Sequence, residues 1–370
     1  MSRTQLLYIS VVLISNFLMV VITISILTLT RPIVPTHRAL PANTSCVPNI
    51  TTYPPLQTPP RVDPLICSSL AHLAVDVPAS TRIRFKDGRT AFIANSGRVG
   101  GTDTDGGIAW FSWDFPNWEQ ATFLMFRALI KPDMVYVGFG EWIGPTILYG
   151  AQLAKVSYGF EPDTIAFRSL ALNAKANQCF GDRLRVFPTC IYMHFGELVL
   201  KDAAGGSVSS IVDESVGPAQ STGPTLRVQC VTLEHVLRNH SLMDERLFLK
   251  VDTEGAEALL VPSLVPLVHK LKHRPTWFLS KHQNSRYVEP HIQQGFRDLI
   301  ALYKCHRYMP ASHQTSLSRE QMLSFTLSGL PSITDPVISN PDSNPDLILV
   351  DAECVTVDRW IQEAALLFAQ

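Results

Sequence analysis

Residues 133–163 read DMVYVGFGEWIGPTILYGAQLAKVSYGFEPD, and their order decides the fold. A β-prone run, Met134 to Val137, breaks into a glycine-bearing turn, Gly138-Phe-Gly140-Glu-Trp-Ile-Gly144. Ile147, Leu148, Ala151, Leu153 and Ala154 then recur at helical spacing, and a second short strand, Val156 to Phe160, ends on the acid Glu161. Strand, glycine turn, helix, strand and terminal acid is the layout of a nucleotide-binding βαβ unit. Glycines let the backbone approach a ligand closely, and an acid at the end of the second strand can accept both ribose hydroxyls.

Spacing narrows the ligand. The nicotinamide fingerprint is G-x-G-x-x-G, whose tight turn sets a pyrophosphate on a helix N-terminus. Here Gly138, Gly140 and Gly144 fall as G-x-G-x-x-x-G, one residue longer, with acidic Glu141 and bulky Trp142 inside the turn. A carboxylate there repels a pyrophosphate and tolerates the cationic sulfonium and amino group of S-adenosylmethionine. On this segment alone, methyl-donor binding, another nucleotide, and a tight turn without a ligand all stay open.

Leu247 to Glu257 reads LFLKVDTEGAE: an apolar strand ends on Asp252, and Glu254 and Gly255 lead into a helix expected over 256–268. Together with Phe160-Glu-Pro-Asp163, Asn173 and the turn Gly205-Gly-Ser-Val-Ser-Ser210, this segment resembles the FkbM family of S-adenosylmethionine-dependent methyltransferases. The resemblance runs from about Trp113 to about His282, less than half the chain, and VDTEGAE is its most specific piece. It implies an α/β fold with a doubly wound, Rossmann-like, seven-stranded sheet, and O-methylation of sugars or secondary metabolites. It also implies Gly140 and Gly144 as the donor-binding turn, Glu161 as the ribose acid, and Asp252 and Glu254 lining the site beyond the fourth strand. The family's D-x-G-x-x-x-G turn begins on an Asp that helps hold the methionine end of the donor. This chain has Gly138 there, and Glu141, three residues along, is the candidate replacement.

Methyl transfer from a sulfonium is an in-line displacement in which the protein aligns the acceptor and takes or shares its proton. The catalytic groups belong beyond the carboxyl ends of the strands. Asp252 and Glu254 end one strand, and His282 lies just past another, Phe278-Leu-Ser-Lys-His282. His282 is the candidate base, as a neutral imidazole near pH 7. Two carboxylates one residue apart do not define a metal site, and none is assigned. Three functions fit these residues: a membrane-anchored O-methyltransferase, a degenerate binding protein that keeps the fold, and a nucleotide-dependent oxidoreductase. Glycine spacing and VDTEGAE argue against the last.

The 370 residues are 46% hydrophobic and 17% charged, enough for one large core or two modest ones. A net charge of −1, with no basic run, gives no footprint for nucleic acid. From Leu6 to Leu29 no residue is charged; as a helix this run is roughly 35 Å long, enough to cross a hydrocarbon core of about 30 Å. It is too long for a cleaved signal, so an uncleaved anchor at 6–29, after a short tail at 1–5, is expected. A Pro- and Thr-rich stem follows at 30–64, then an extension of the globular domain at 65–120 and the methyltransferase domain at 121–370. Sequons at Asn43, Asn49 and Asn239 favour a lumenal domain, so the expected layout is that of a type II Golgi or endoplasmic reticulum enzyme. The expected acceptor is a glycan or another small hydroxylated molecule.

Seven cysteines leave an odd thiol; Cys46 with Cys67, and Cys179 with Cys190, are the candidate pairs. Trp110, Trp113, Phe115 and Trp118 read as a cover for one sheet edge or as a stacking platform for a sugar. Elsewhere the pattern gives strands at 81–85 and 90–93, glycine-rich turns at 97–107, and helices at 121–129 and 164–176. It further gives a strand at 184–188, a hairpin between Ile191 and Lys201, a strand at 226–233, a helix at 233–238 and strands at 276–280 and 347–350. The polar tail from Ser312 to Asn344 reads as a loop.

Overall fold

The computed structural model describes residues 80–94, 106–201, 203, 210–212, 224–309, 328–329 and 345–368. All lie in the unit Thr52–Gln370. The expected anchor and stem, the sequons Asn43 and Asn49, Cys46, Cys67, and most of the turn 205–210 lie outside the described residues. Among the described residues no helix is long and apolar enough to cross a membrane.

A hairpin of β1 (Ser80–Arg84) and β2 (Thr90–Ala94) precedes α1 (Gly106–Trp113) and α2 (Gln120–Leu129). Next come β3 (Met134–Phe139), α3 (Pro145–Gly150), β4 (Val156–Phe160), α4 (Thr164–Ala176) and β5 (Leu184–Phe187). A small sheet is then inserted: β6 (Cys190–Ile191), β7 (Gly196–Lys201), β8 (Ser210–Val212) and β9 (Thr225–Val231). The chain continues through α5 (Leu233–Asn239), β10 (Arg246–Val251), α6 (Glu257–Ser263), α7 (Val265–Lys270) and β11 (Thr276–Ser280). It ends with α8 (Pro290–Ile300), β12 (Cys305–Met309), β13 (Ser328–Gly329), β14 (Asp346–Val350) and α9 (Cys354–Phe368).

The main sheet has the order β13-β12-β14-β11-β10-β3-β4-β5. Strands β5, β4, β3, β10 and β11 are parallel, while β14 runs antiparallel to both β11 and β12. Eight strands are found where seven were expected; the eighth is the two-residue β13, inside the segment that reads as a loop. Strand order reverses between β3 and β10, the switch point where open α/β sheets bind ligands. Both sheet faces are covered, so the strands are continuous apolar runs whose alternate residues serve different cores. Met134, Tyr136, Phe248, Phe278 and Ile348 join α2 and α9 in one core. Val135, Val137, Leu247, Leu249, Trp277 and Leu279 join α6, α7 and α8 in the other.

Four expectations are corrected. The helix over 256–268 is two helices, because Pro262 lacks an N–H to continue α6 and Pro266 restarts α7 in its first turn. The hairpin between Ile191 and Lys201 does not form: β6 pairs in parallel with β9, and β7 pairs antiparallel with β9 and β8. Residues 106–107 begin a helix instead of ending a glycine-rich turn. Among the described residues Cys190 pairs with Cys230 and Cys305 with Cys354; Cys179 is disulfide-bonded too, and not to Cys190 as expected.

Candidate active site

Two backbone ends meet at the switch point. The Gly140 N–H bonds the Phe160 carbonyl at 2.9 Å, and the Asp252 N–H bonds the Phe139 carbonyl at 3.2 Å. Gly140 has φ +71°, and a Cβ there would run into the Asp252 carbonyl oxygen. Only glycine satisfies both conditions. Gly144, with φ +102°, begins α3, and its missing side chain leaves room for Leu170, whose Cδ1 would lie 2.8 Å from a Cβ. Asn173 braces the turn from behind: its Nδ2 donates to the Ile143 carbonyl at 2.8 Å while its Oδ1 accepts from Ala94 N at 2.9 Å.

Glu141 points inward from this turn and is 1% exposed. Its Oε1 accepts from the Tyr136 hydroxyl and its Oε2 from Thr146 Oγ1, each at 2.8 Å. A Cβ at Gly138 would collide with this carboxylate, so Gly138 is the space that Glu141 fills. Burial pushes the Glu141 carboxyl above its ordinary range, against the pull of Lys250. Glu161 at the end of β4 is 6% exposed. It accepts backbone N–H groups from Trp142 on Oε2 and from Asp163 on Oε1, both at 2.8 Å. Burial raises it to about 7 despite those bonds.

Across the switch point, the loop after β10 carries Asp252 and Glu254, and β11 delivers His282. His282 Nδ1 lies 3.0 Å from Glu257 Oε1, and its Nε2 lies 3.5 Å from both Asp252 Oδ1 and Glu254 Oε1. Glu257 is fully buried at the start of α6 and also accepts Thr253 N at 2.6 Å and Gly255 N at 2.8 Å. Burial disfavours the imidazolium, but the Glu257 hydrogen bond and three carboxylates outweigh it and raise His282 to about 10. These carboxylates favour the imidazolium over the neutral imidazole expected of a base, and a protonated His282 has no lone pair to accept a proton. Glu254, raised by burial to about 7, and Glu119, raised by burial and by Asp252 to about 8, join Glu161 as carboxyls that titrate near neutrality. Asp252 stays ionised: burial opposes its charge, and Lys250 with His282 holds it below the usual range. Asp252, Glu257 and His282 each place a ligand atom within 4.8 Å of the others, the spacing of a cation site, although Glu257 already serves two backbone N–H groups and the imidazole.

These groups line one cleft of about 160 Å³. Of the sequence-derived residues, Gly140, Glu141, Glu161, Asp252, Glu254 and His282 line it; Gly138 and Gly144 do not. Trp118, Glu119, Lys250 and, from the small sheet, Cys190, Ile191, Leu200 and Ile211 complete the wall. Trp118 and Trp142 are held edge-on by Trp110 at 5.2 and 4.7 Å between centroids, whereas Trp113 is 80% exposed. Left-handed backbone at non-glycine residues is uncommon and gathers at functional sites. Among the described residues it occurs at Glu119, Trp142, Ser241 and Glu254, and all but Ser241 line this cleft.

No protein-family model matches the sequence, and no curated protein does. Solved structures do match. An FkbM methyltransferase is among them. That structure, from Methylobacillus flagellatus KT, is 12% identical with a TM-score of 0.34, and the match covers 60% of this chain and 44% of that one. The chain thus spans less than half the length of the FkbM protein. An rRNA methylase from Streptococcus thermophilus is 8% identical with a TM-score of 0.31, over 63% of this chain and 95% of that one.

Proposed function

We propose that the cleft binds S-adenosylmethionine and that the protein is an O-methyltransferase acting on a hydroxyl of a glycan or another hydroxylated metabolite. The observation that carries this reading is the cluster of acidic groups in the switch-point cleft. Five side-chain carboxyl groups, those of Glu119, Glu141, Glu161, Asp252 and Glu254, line it together with the indoles of Trp118 and Trp142. Carboxylates and aromatic faces attract sulfonium and ammonium groups and repel phosphates. The VDTEGAE resemblance supports the same donor. Glu161 oxygens each keep a lone pair for a ribose hydroxyl beside the N–H they accept, and Gly140 gives the donor an approach to bare backbone.

When bound, S-adenosylmethionine supplies an activated methyl group. The chain must orient the acceptor hydroxyl and take its proton. Glu254 is suited to accept that proton, because its carboxyl titrates at about 7 and its Oε1 lies 3.5 Å from the cationic His282 Nε2. Charge on Glu254 is stabilised by His282, which Glu257 in turn holds in place. Membrane anchoring through one N-terminal helix and a lumenal position in the Golgi or endoplasmic reticulum complete the proposal. Two described disulfides and the exposed sequon residue Asn239 support an oxidising, glycosylating compartment.

A second reading, a degenerate binding protein, is favoured by one observation. The cleft, at about 160 Å³, is smaller than the ~300–1,000 Å³ common for ligand sites. Isothermal titration with S-adenosylmethionine, followed by transfer of labelled methyl to a glycan pool, decides. Absence of binding would sink the donor site; binding without transfer would favour the second reading.

A further inference from the structure

Among the described residues, Lys250 is the only lysine or arginine lining the cleft, which it shares with all five acids. It lies in β10 opposite Gly138 of β3 and is 3% exposed. Its Nζ donates to the Gly140 carbonyl at 2.7 Å and pairs with Asp252 Oδ2 at 3.0 Å. Those two partners belong to the two loops that meet at the switch point, so one buried ammonium ties both walls of the cleft together.

We propose that Lys250 is a positioning residue: its ammonium clamps the Gly140 turn to the Asp252 loop and offsets the mutual repulsion of the acids gathered there, holding the cleft in shape for a cationic donor. This rests on the reading of the cleft as a donor site. The field of Lys250 favours the ionised form of Glu119, Glu141, Glu161, Asp252 and Glu254 alike. Burial works against the charge on Lys250 itself, yet Asp252 and Glu141 hold its proton more tightly than in water. Removing the lysine raises the proton affinity of every one of these acids. Donor binding must then be lost at a higher pH as the solution is acidified.

The test titrates the full-length protein with S-adenosylmethionine over a range of pH. Lys250→Met is expected to weaken binding at least tenfold at neutral pH and to move the acid-side midpoint up by about one pH unit or more. Lys250→Arg keeps the charge and loses the single-point geometry, so affinity falls while the midpoint stays at the wild-type value. Lys250→Met leaves Asp252 without its buried counter-charge and is prone to misfold, so the comparison is repeated between Asp252→Asn and Asp252→Asn/Lys250→Met. The same upward shift is expected there. Weaker binding with an unmoved midpoint in both comparisons reduces Lys250 to packing and overturns the proposal alone. No binding by the wild type at any pH overturns the donor reading and the proposal together.

Discussion

Glu141 holds a carboxylate away from water, and its surroundings decide what neighbouring substitutions do. The Tyr136 and Thr146 hydroxyls satisfy it, and the space it occupies is that of a side chain at Gly138. Gly138→Asp therefore adds a second acid to a filled, buried site. We expect it to lower stability by about 1–3 kcal/mol through overpacking alone, and to weaken donor binding; a melting curve and a titration check both. A folded Gly138→Asp protein that binds more tightly would show that the position is a lost ligand group. Glu161→Ala tests the other wall. It removes the acceptor of the Trp142 and Asp163 N–H groups, at about 1–3 kcal/mol each, and should weaken donor binding at least tenfold. Unchanged affinity in a folded variant moves the donor elsewhere. The acids that end strands are legible in the sequence because a strand terminus after a glycine turn is a position with a known use. Lys250 leaves a subtler signal, a single charge inside the apolar run LFLKV, where burial demands partners. Glu119 leaves none, since only tertiary packing brings the residue before α2 to the cleft.

At the scale of elements, the strands at 134–137, 156–160 and 276–280 are readable from continuous apolar runs. The small sheet is not, because its partners are remote in sequence: β6 reaches β9 some forty residues on, across a disulfide with sequence separation 40. Pairing of that kind has no local signature, whereas a hairpin has one. Helices α8 and α9 do carry a pattern, though it marks no site. Ile292, Phe296, Leu299 and Ile300 are buried at helical spacing, as are Val357, Ile361, Ala364, Ala365 and Phe368. The small sheet supplies four cleft residues, among them Cys190 itself. Cutting its disulfide with Cys190→Ala/Cys230→Ala should cost about 3–4 kcal/mol by loop-closure entropy and reduce donor affinity. The measurement is thermal unfolding of variant and wild type, each with and without reductant. A variant that melts with the wild type would show that β6–β9 pairing alone holds this wall of the cleft.

For the whole molecule, compartment and pH response follow from chemistry distributed over the chain. Asn43, Asn49 and Asn239 sit in sequons, so treatment of membrane-bound protein with an N-glycan-cleaving enzyme should raise its gel mobility. No shift, with a domain open to protease in intact vesicles, would place it in the cytosol. The pH response comes from groups whose proton affinity rises on folding. Glu161 and Glu254 move from 4.5 to about 7, Glu119 from 4.5 to about 8, and His282 from 6.5 to about 10. In each case the folded chain binds protons more tightly than the unfolded one. The stability they contribute is fully present below the unfolded value and is lost as pH rises through the folded value. Asp252 has the opposite sign, and its contribution disappears only at acid pH below 3.8. The ligand-free protein should therefore be most stable near pH 4 to 4.5 and lose stability steadily toward pH 9, its melting temperature falling by roughly 5 °C or more. Saturating S-adenosylmethionine should flatten that slope, because a cation in the cleft favours the ionised carboxylates. Differential scanning calorimetry at a series of pH values, with and without the donor, reads both effects. A melting temperature that rises from pH 5 to 9 would mean that these acids are not buried together in one cleft.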